Sequence, residues 1–260
     1  MWGDLLVFRG KSSAKADLLL GSIMAAGLLV IWEVVARAGL VAPQFLPAPS
    51  AVVAALWTMT TQQSLLWHAA VSTVRVLLAF AIAAAMAIPI GILMSSYRIV
   101  GAALEPSIDF IRYLPVPALV PLSIIWFGVG ETTKIFLLWL GTFFQLVLLV
   151  ADDMRRVPQE YVEVAFTLGA KPRNVLTDVA LRAMGPTLVD NLRITLGWCW
   201  TYLVLAEIVA ADQGLGFVIW SARRYVKTPE VMAGVVVIGV IGLVTDQLLR
   251  MLHRRMFKYL

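Results

Sequence analysis

Two arginines, Arg75 and Arg193, stand inside long apolar stretches of the chain. An ionised side chain at membrane depth is expensive, so each needs a partner or a task. Glu207 matches Arg75 in depth and Asp109 matches Arg193, so two ion pairs are expected. A guanidinium lining a path would also ease an anion across, provided that it does not hold the ion too tightly. Gln145, near the middle of the fourth apolar stretch, is a further pathway candidate. Trp198, Trp200 and Tyr202 crowd the fifth stretch. On a helix they point in different directions, so at least one is expected to face a cavity or a subunit interface while the others pack. Covalent chemistry finds no such support. The single cysteine, Cys199, is expected as a small buried hydrophobe, and His68 and His253 lie at opposite ends of the chain. No disulfide or Cys-based metal site can be built within the chain. The residues suggest passage of a solute rather than its transformation.

A second polar group is a continuous run, EVAFTLGAKPRNVLTDVALRAMGP, from Glu163 to Pro186. It cannot sit in a bilayer core. Pro158 suits a helix start, and Glu160 and Glu163 complement a helix N-terminus. Gly169 suits a stop. Ala165 and Gly169, four apart, share one helix face, where small side chains would let a partner approach closely. Lys171, Pro172 and Arg173 form a basic turn. A second helix is expected to lead to Gly185–Pro186 and the next span. The segment is either a solvated connector or a helix displayed for another protein's groove.

The elements that hold these residues are membrane spans. The chain has 260 residues, 60% hydrophobic and only 14% charged, with a mean hydropathy of +0.86. A span needs about 20 apolar residues. Six stretches qualify, at 18–38, 69–94, 106–128, 133–151, 187–210 and 230–250, with residues 152–186 as one long loop. An all-α membrane protein is expected, with the whole chain as one transmembrane domain. With the N-terminus cytoplasmic, fourteen of the 21 Lys and Arg residues fall inside and five outside, namely Arg37, Lys134, Arg223, Arg224 and Lys227. The positive-inside rule favours that orientation, which puts both termini and the 152–186 loop in the cytoplasm. Nucleic-acid binding would want a contiguous basic face, and there is none. The N-terminus, with Arg9, Lys11 and Lys15, lacks a clear cleavage site and is expected to lead into an uncleaved first span.

Two loops and one span add detail. After the first span, Pro43, Pro47 and Pro49 break the helix, and Ser50 can cap a new one carrying Val52, Val53, Leu56 and Trp57. This is either an interfacial helix or a loop packed over the bundle. The third span holds Pro115, Pro117 and Pro121, which kink a helix. Such breaks are either structural or a mark of the permeation path. Gly214–Gly216 permits a tight outer turn, as part of a gate or of a docking surface.

The run at 163–186 resembles the pattern E-A-A-x3-G-x9-I-x-L-P of the permease subunits of bacterial ABC importers. Glu163, Val164, Ala165, Gly169, Val179 and Leu181 occupy its positions. Val164 replaces an alanine, Val179 the isoleucine, and Arg182 stands in place of the proline. FLPAPSAV, PVPALVPLSIIWFGVGETTKIF, TLGAKPRNV, NLRITLGWCWTYLVLAEIV and GLGFVIW are similar to permeases of the nitrate, sulfonate, taurine and bicarbonate type. The resemblance implies a type I importer permease fold with a cytoplasmic coupling helix that seats in a partner ATPase. Glu160, Glu163, Ala165, Leu168, Gly169, Ala170 and Lys171 would form that element. It also implies two permease copies forming a homodimer, two ATPase subunits that bind ATP and Mg, and a periplasmic or lipid-anchored solute-binding protein. The chain itself would hold no cofactor, and it carries no phosphate-binding G-x4-G-K-[ST] motif. The implied substrate is a small oxyanion. A neutral or aromatic heterocycle such as a pyrimidine is the rival cargo, and a passive channel the rival mechanism.

Overall fold

A computed structural model describes residues 14–210 and 212–258. Arg9 and Lys11 of the basic N-terminus lie outside the described residues. The described chain is helical throughout its regular elements: α1 Ala14–Arg37, α2 Pro49–Gln62, α3 Leu65–Ser96, α4 Arg98–Arg112, α5 Val116–Phe127, α6 Glu131–Arg155, α7 Gln159–Thr167, α8 Pro172–Asn174, a π-helical turn Val175–Ala180, α9 Leu181–Ala210, α10 Leu215–Arg224 and α11 Thr228–Met256. Internal packing divides it into two units. One contains α1, α2 and Ala222–Ala233; the other contains Ser64–Ser221 and the chain from Gly234 on.

In the larger unit, α3 and α6 form the central seam. Ala79, Ala83, Ala87 and Gly91 recur every four residues along one buried stripe of α3. Lipid offers no hydrophobic drive between helices, so close backbone approach through small residues has to hold them. At Gly91 the approach is extreme: a Cβ there would lie 2.7 Å from the Val147 carbonyl oxygen. From α6 the seam receives Leu146, Val147 and Val150, all fully buried. On its other side α6 meets α9, where Gly141 lies against the Tyr202 ring; a Cβ at Gly141 would be 2.6 Å from Tyr202 Cδ2.

Span by span, the expectations need correction. Among the described residues, four helices are long and apolar enough to cross a membrane: α1, α3, α6 and α11. A fifth crossing arises if α4 and α5 count as one, and these two are bent by 100°. The span expected at 106–128 with a proline kink is therefore two helices. Pro115 donates no amide hydrogen and pushes Leu114 out of the helical region, and α5 restarts from Pro115 as its N-cap. Glu105, Asp109 and Arg112 give α4 a polar side. The fifth expected span, 187–210, falls in the 30-residue α9, which carries Asp190, Arg193 and Glu207. No break occurs at Gly185–Pro186. Helix runs through both, and the irregularity sits upstream in the π-helical turn. The long loop at 152–186 shrinks accordingly, because α6 extends to Arg155 and α9 starts at Leu181.

In the smaller unit, the polypeptide after α1 turns back into α2. Ser50 does not cap α2. Ala48 is the N-cap and Pro49 opens the helix. Ser50 instead donates to Glu33, through its amide at 3.0 Å and its hydroxyl at 2.7 Å. Arg37 also donates to Glu33, at 2.5 Å. Val52 is buried, while Val53 and Trp57 are exposed. Thr228, at the start of α11, donates its hydroxyl to the Gln44 carbonyl at 2.6 Å.

Two helix ends use the same backbone turn. After α7, Ala170 N donates to Ala165 O and Gly169 N to Phe166 O, with Gly169 left-handed at φ +80°. After α10, Lys227 N donates to Ala222 O and Val226 N to Arg223 O, with Val226 left-handed at φ +55°. Both are Schellman closures. Glycine enters the left-handed region freely, but a side chain there costs about 1–2 kcal/mol.

Candidate functional site

The buried charge cluster is built by α3, α6, α9 and the turn into α10. Arg75 is 2% exposed and Glu207 1%. Arg75 Nη1 donates to Glu207 Oε1 at 2.6 Å and to the Gln213 carbonyl at 2.8 Å. Its Nε and Nη2 form a fork onto Glu131, at 2.6 and 2.5 Å. Lys134 donates to the same carboxylate at 2.9 Å. Two cations thus face two anions. Glu207 also accepts from the Ser72 hydroxyl at 2.7 Å and from the Gly216 amide at 2.7 Å. The Ser72 oxygen accepts from the Leu215 amide at 2.8 Å, and His68 Nδ1 from the Gly214 amide at 3.1 Å. Gly214 has φ +118°, and a Cβ there would overlap the Glu207 carboxylate. Gly214, Leu215 and Gly216 are all buried, which removes them from any exposed docking surface. The expected Arg75–Glu207 pair is present. Glu131, Ser72 and Gln213 were not anticipated, although Ser72 precedes Arg75 by three residues and so shares its helix face.

Arg193 is held differently from expectation. Its partners are Asp190 at 2.8 Å, one turn back on α9, and Asp246 on α11 at 3.0 Å. Asp109 instead pairs with Arg112 on its own helix at 3.1 Å. The bend between α4 and α5 breaks the depth register that would have matched Asp109 to Arg193. A cleft of about 420 Å3 between α9 and α11 is lined by Arg193, Gly197, Gly242 and Asp246, among others.

The three aromatic residues of α9 do point in three directions. Trp200 is buried and donates to the Thr245 hydroxyl on α11 at 3.2 Å. Tyr202 lies on Gly141 of α6. Trp198 is 38% exposed, beside Gly197, around which a Cβ would meet nothing within 4 Å. Gln145 is half-buried on α6. Among the described residues no group of His, Cys, Asp and Glu could hold a metal ion.

The remaining candidates occupy α7 and its closing turn. Gln159 donates to Glu163 at 2.7 Å, one turn apart. Ala165 is turned inward, buried where α7 packs on the π-helical turn. It therefore does not belong to an outward docking face; its small size serves the internal packing. The outward face carries Glu160, Tyr161, Glu163, Val164 and Leu168. Tyr161, Val164 and Leu168 follow i, i+3, i+7 spacing and form one stripe, with Leu168 82% exposed. Gly169 and Lys171 are exposed and Ala170 half-buried beyond it.

Comparison with known proteins identifies the family. The family described as binding-protein-dependent transport system inner membrane component matches residues 87–258. The taurine transport system permease protein TauC of Escherichia coli K12 is 38% identical over 96% of this chain and 92% of its own length. A putative aliphatic sulfonates transport permease protein, SsuC of Bacillus subtilis 168, is 33% identical over 92% of this chain and 87% of its own. The bicarbonate transport system permease protein CmpB of Synechococcus elongatus is 29% identical over 88% and 85%. An inward-facing structure of the MetNI methionine ABC transporter has the same fold, with a TM-score of 0.59, 20% identity, and coverage of 74% of this chain and 97% of that one. The chain belongs to the binding-protein-dependent inner-membrane permease family: it is a multi-pass ABC importer permease subunit, a transporter component and not an enzyme.

Proposed function

We propose that this permease moves a small oxyanion, of the sulfonate type, into the cytoplasm by alternating access driven by a partner ATPase. The observation that carries the coupling half of this reading is α7. It is a short helix whose stripe Tyr161, Val164 and Leu168 is uncovered, next to a sharply closed turn at Gly169. A stripe of that spacing suits a groove on another protein. Glu160 and Glu163 flank it on the exposed side, and Lys171 follows the turn. In this reading the ATPase holds ATP and Mg, two copies of it serve two permease copies, and an external solute-binding protein delivers the cargo. Both chain termini and α7 face the cytoplasm, as the distribution of Lys and Arg favours. Closure of the ATPase pair would push on α7 and, through the π-helical turn, on α9.

The cargo assignment rests on the relatives named for taurine, aliphatic sulfonates and bicarbonate. Arg75 and Arg193 each face two carboxylates. Neither offers an uncompensated charge, so both hold helices together, and selection of the anion falls to the binding protein. In this reading the exposed side of α9 around Trp198, with Gln145 on α6, lines the path.

The test is purification of the tagged chain in mild detergent with mass spectrometry of its companions. Co-purification of an ATPase and a binding protein is expected, and the binding protein should take up sulfonates in preference to pyrimidines. A binding protein that prefers heterocycles would overturn the cargo assignment. A chain that purifies alone after crosslinking at Glu163 would overturn the coupling assignment.

A further inference from the structure

The turn between α10 and α11 breaks two rules at once. Its left-handed position is filled by Val226, where the matching turn after α7 uses Gly169. Packing does not compensate: Val226 is 67% exposed and its neighbour Tyr225 76%. The turn also concentrates positive charge, with Arg223, Arg224 and Lys227 against Glu230 within Ala222–Ala233. In the proposed orientation this is the outer face, where the topological bias disfavours Lys and Arg. The other two outer cations are neutralised at home, Arg37 by Glu33 and Lys134 by Glu131. Lys227 has Glu230 at 3.0 Å, whereas among the described residues the Arg224 side chain has no ion-pair or hydrogen-bond partner. The turn is held in place, since Thr228 is bonded to Gln44. It presents a fixed basic and apolar knuckle to the outside.

We infer that this knuckle, Arg224–Tyr225–Val226–Lys227, is a docking surface for an acidic face of the external solute-binding protein. The inference rests on the importer reading and its orientation. A β-branched residue kept in a left-handed turn and aimed at solvent gains nothing within the chain, but it offers a rigid apolar contact between two cations. Rigid contacts lose little entropy on binding, and a surrounding charge complement speeds encounter. Residues 214–216, the other outer turn, are buried and cannot supply such a surface.

The test uses the complete transporter with its ATPase and binding protein, reconstituted in liposomes of neutral lipid and again with added anionic lipid. ATPase activity is followed against binding-protein concentration. For the pair Arg224→Glu and Lys227→Glu, the half-saturating concentration should rise by about tenfold or more while basal activity is kept, because opposite charges at a rim govern association. Added salt should weaken the wild type and strengthen the charge-reversed variant, whose glutamates repel the acidic face until screened. Val226→Gly relieves the backbone and keeps the fold, yet should also raise the half-saturating concentration. Half-saturation within twofold of wild type for the charge-reversed pair overturns the proposal. So does a defect that appears only with anionic lipid, which would make the knuckle a lipid anchor. A wild-type transporter that no binding protein stimulates overturns the importer reading itself. Tyr225→Cys checks the side: Cys199 is buried, so an impermeant maleimide should label only the new thiol from outside, and labelling only from the cytoplasm overturns the orientation and the proposal together.

Discussion

Arg75 on α3 and Glu207 on α9 are 2.6 Å apart, and both side chains are shut off from solvent. Between them they tie two helices to the turn that starts α10, since Arg75 holds the Gln213 carbonyl and Glu207 the Gly216 amide. Removing one member of such a pair leaves the other charge buried and unpaired, at about 3–5 kcal/mol. Arg75→Gln is therefore expected to unfold well below wild type in a detergent melt. Glu207→Gln should lose less, because its amide oxygen still accepts from Gly216 and Ser72. A combined Arg75→Met, Glu207→Leu variant should recover part of the loss. A melt unchanged by Arg75→Gln would refute the structural role.

The stripe on α7 separates folding from coupling. Leu168 is 82% exposed, and surface substitutions of that kind change stability by about 0.5 kcal/mol or less. Leu168→Asp should melt with wild type and yet fail to retain the ATPase through size-exclusion chromatography. Retention at wild-type stoichiometry would remove Leu168 from the contact.

Gly169 makes a complementary test. At φ +80° a valine costs about 1–2 kcal/mol, and 1.4 kcal/mol is a tenfold change in a population. Gly169→Val should cut binding-protein-stimulated ATP hydrolysis by about that factor, measured in proteoliposomes. Gly169→Asn, which enters the left-handed region more readily, should keep most of it. Equal activity in both variants would show that the turn's shape is not transmitted.

Pattern alone revealed the helical class, the family and the Arg75–Glu207 pair, because hydropathy and depth along a straight span are one-dimensional quantities. It missed what depends on a third dimension. Asp109 was lost to Arg193 when α4 and α5 bent by 100°, and Asp246, 53 residues beyond Arg193, took its place. Periodicity put Ala165 and Gly169 on one face of α7, but a helical face does not reveal which side is covered. The second helix was expected to lead up to Gly185–Pro186, yet α9 carries both without interruption. The left-handed Val226 gave no signal at all, since only glycine marks that conformation in a sequence.

The α3–α6 seam leaves no room for a methyl group at Gly91. A methyl at Gly91 would fall 2.7 Å from both the Val147 carbonyl oxygen and Val150 Cβ, and backbone cannot move aside as a side chain can. Gly91→Ala is expected to cost about 1–3 kcal/mol and Gly91→Leu more, both read as lower melting temperatures. Gly197, with nothing within 4 Å of an added Cβ, supplies the control, and Gly197→Ala should melt as wild type in the isolated chain.

Arg193 distinguishes a strut from an ion carrier. Its side chain is 19% exposed, with Asp190 and Asp246 in contact. Solvent reaches the pair, so its removal should cost no more than about 1 kcal/mol. If Arg193 only fastens α11 to α9, Asp246→Asn alone should reproduce whatever Arg193→Gln does to uptake of the labelled sulfonate that the proposed function assigns. The double variant should then be no worse than either single one, the non-additivity expected of residues in one contact. If Arg193 handled the anion directly, Arg193→Gln would depress uptake far more than Asp246→Asn, and the two losses would add.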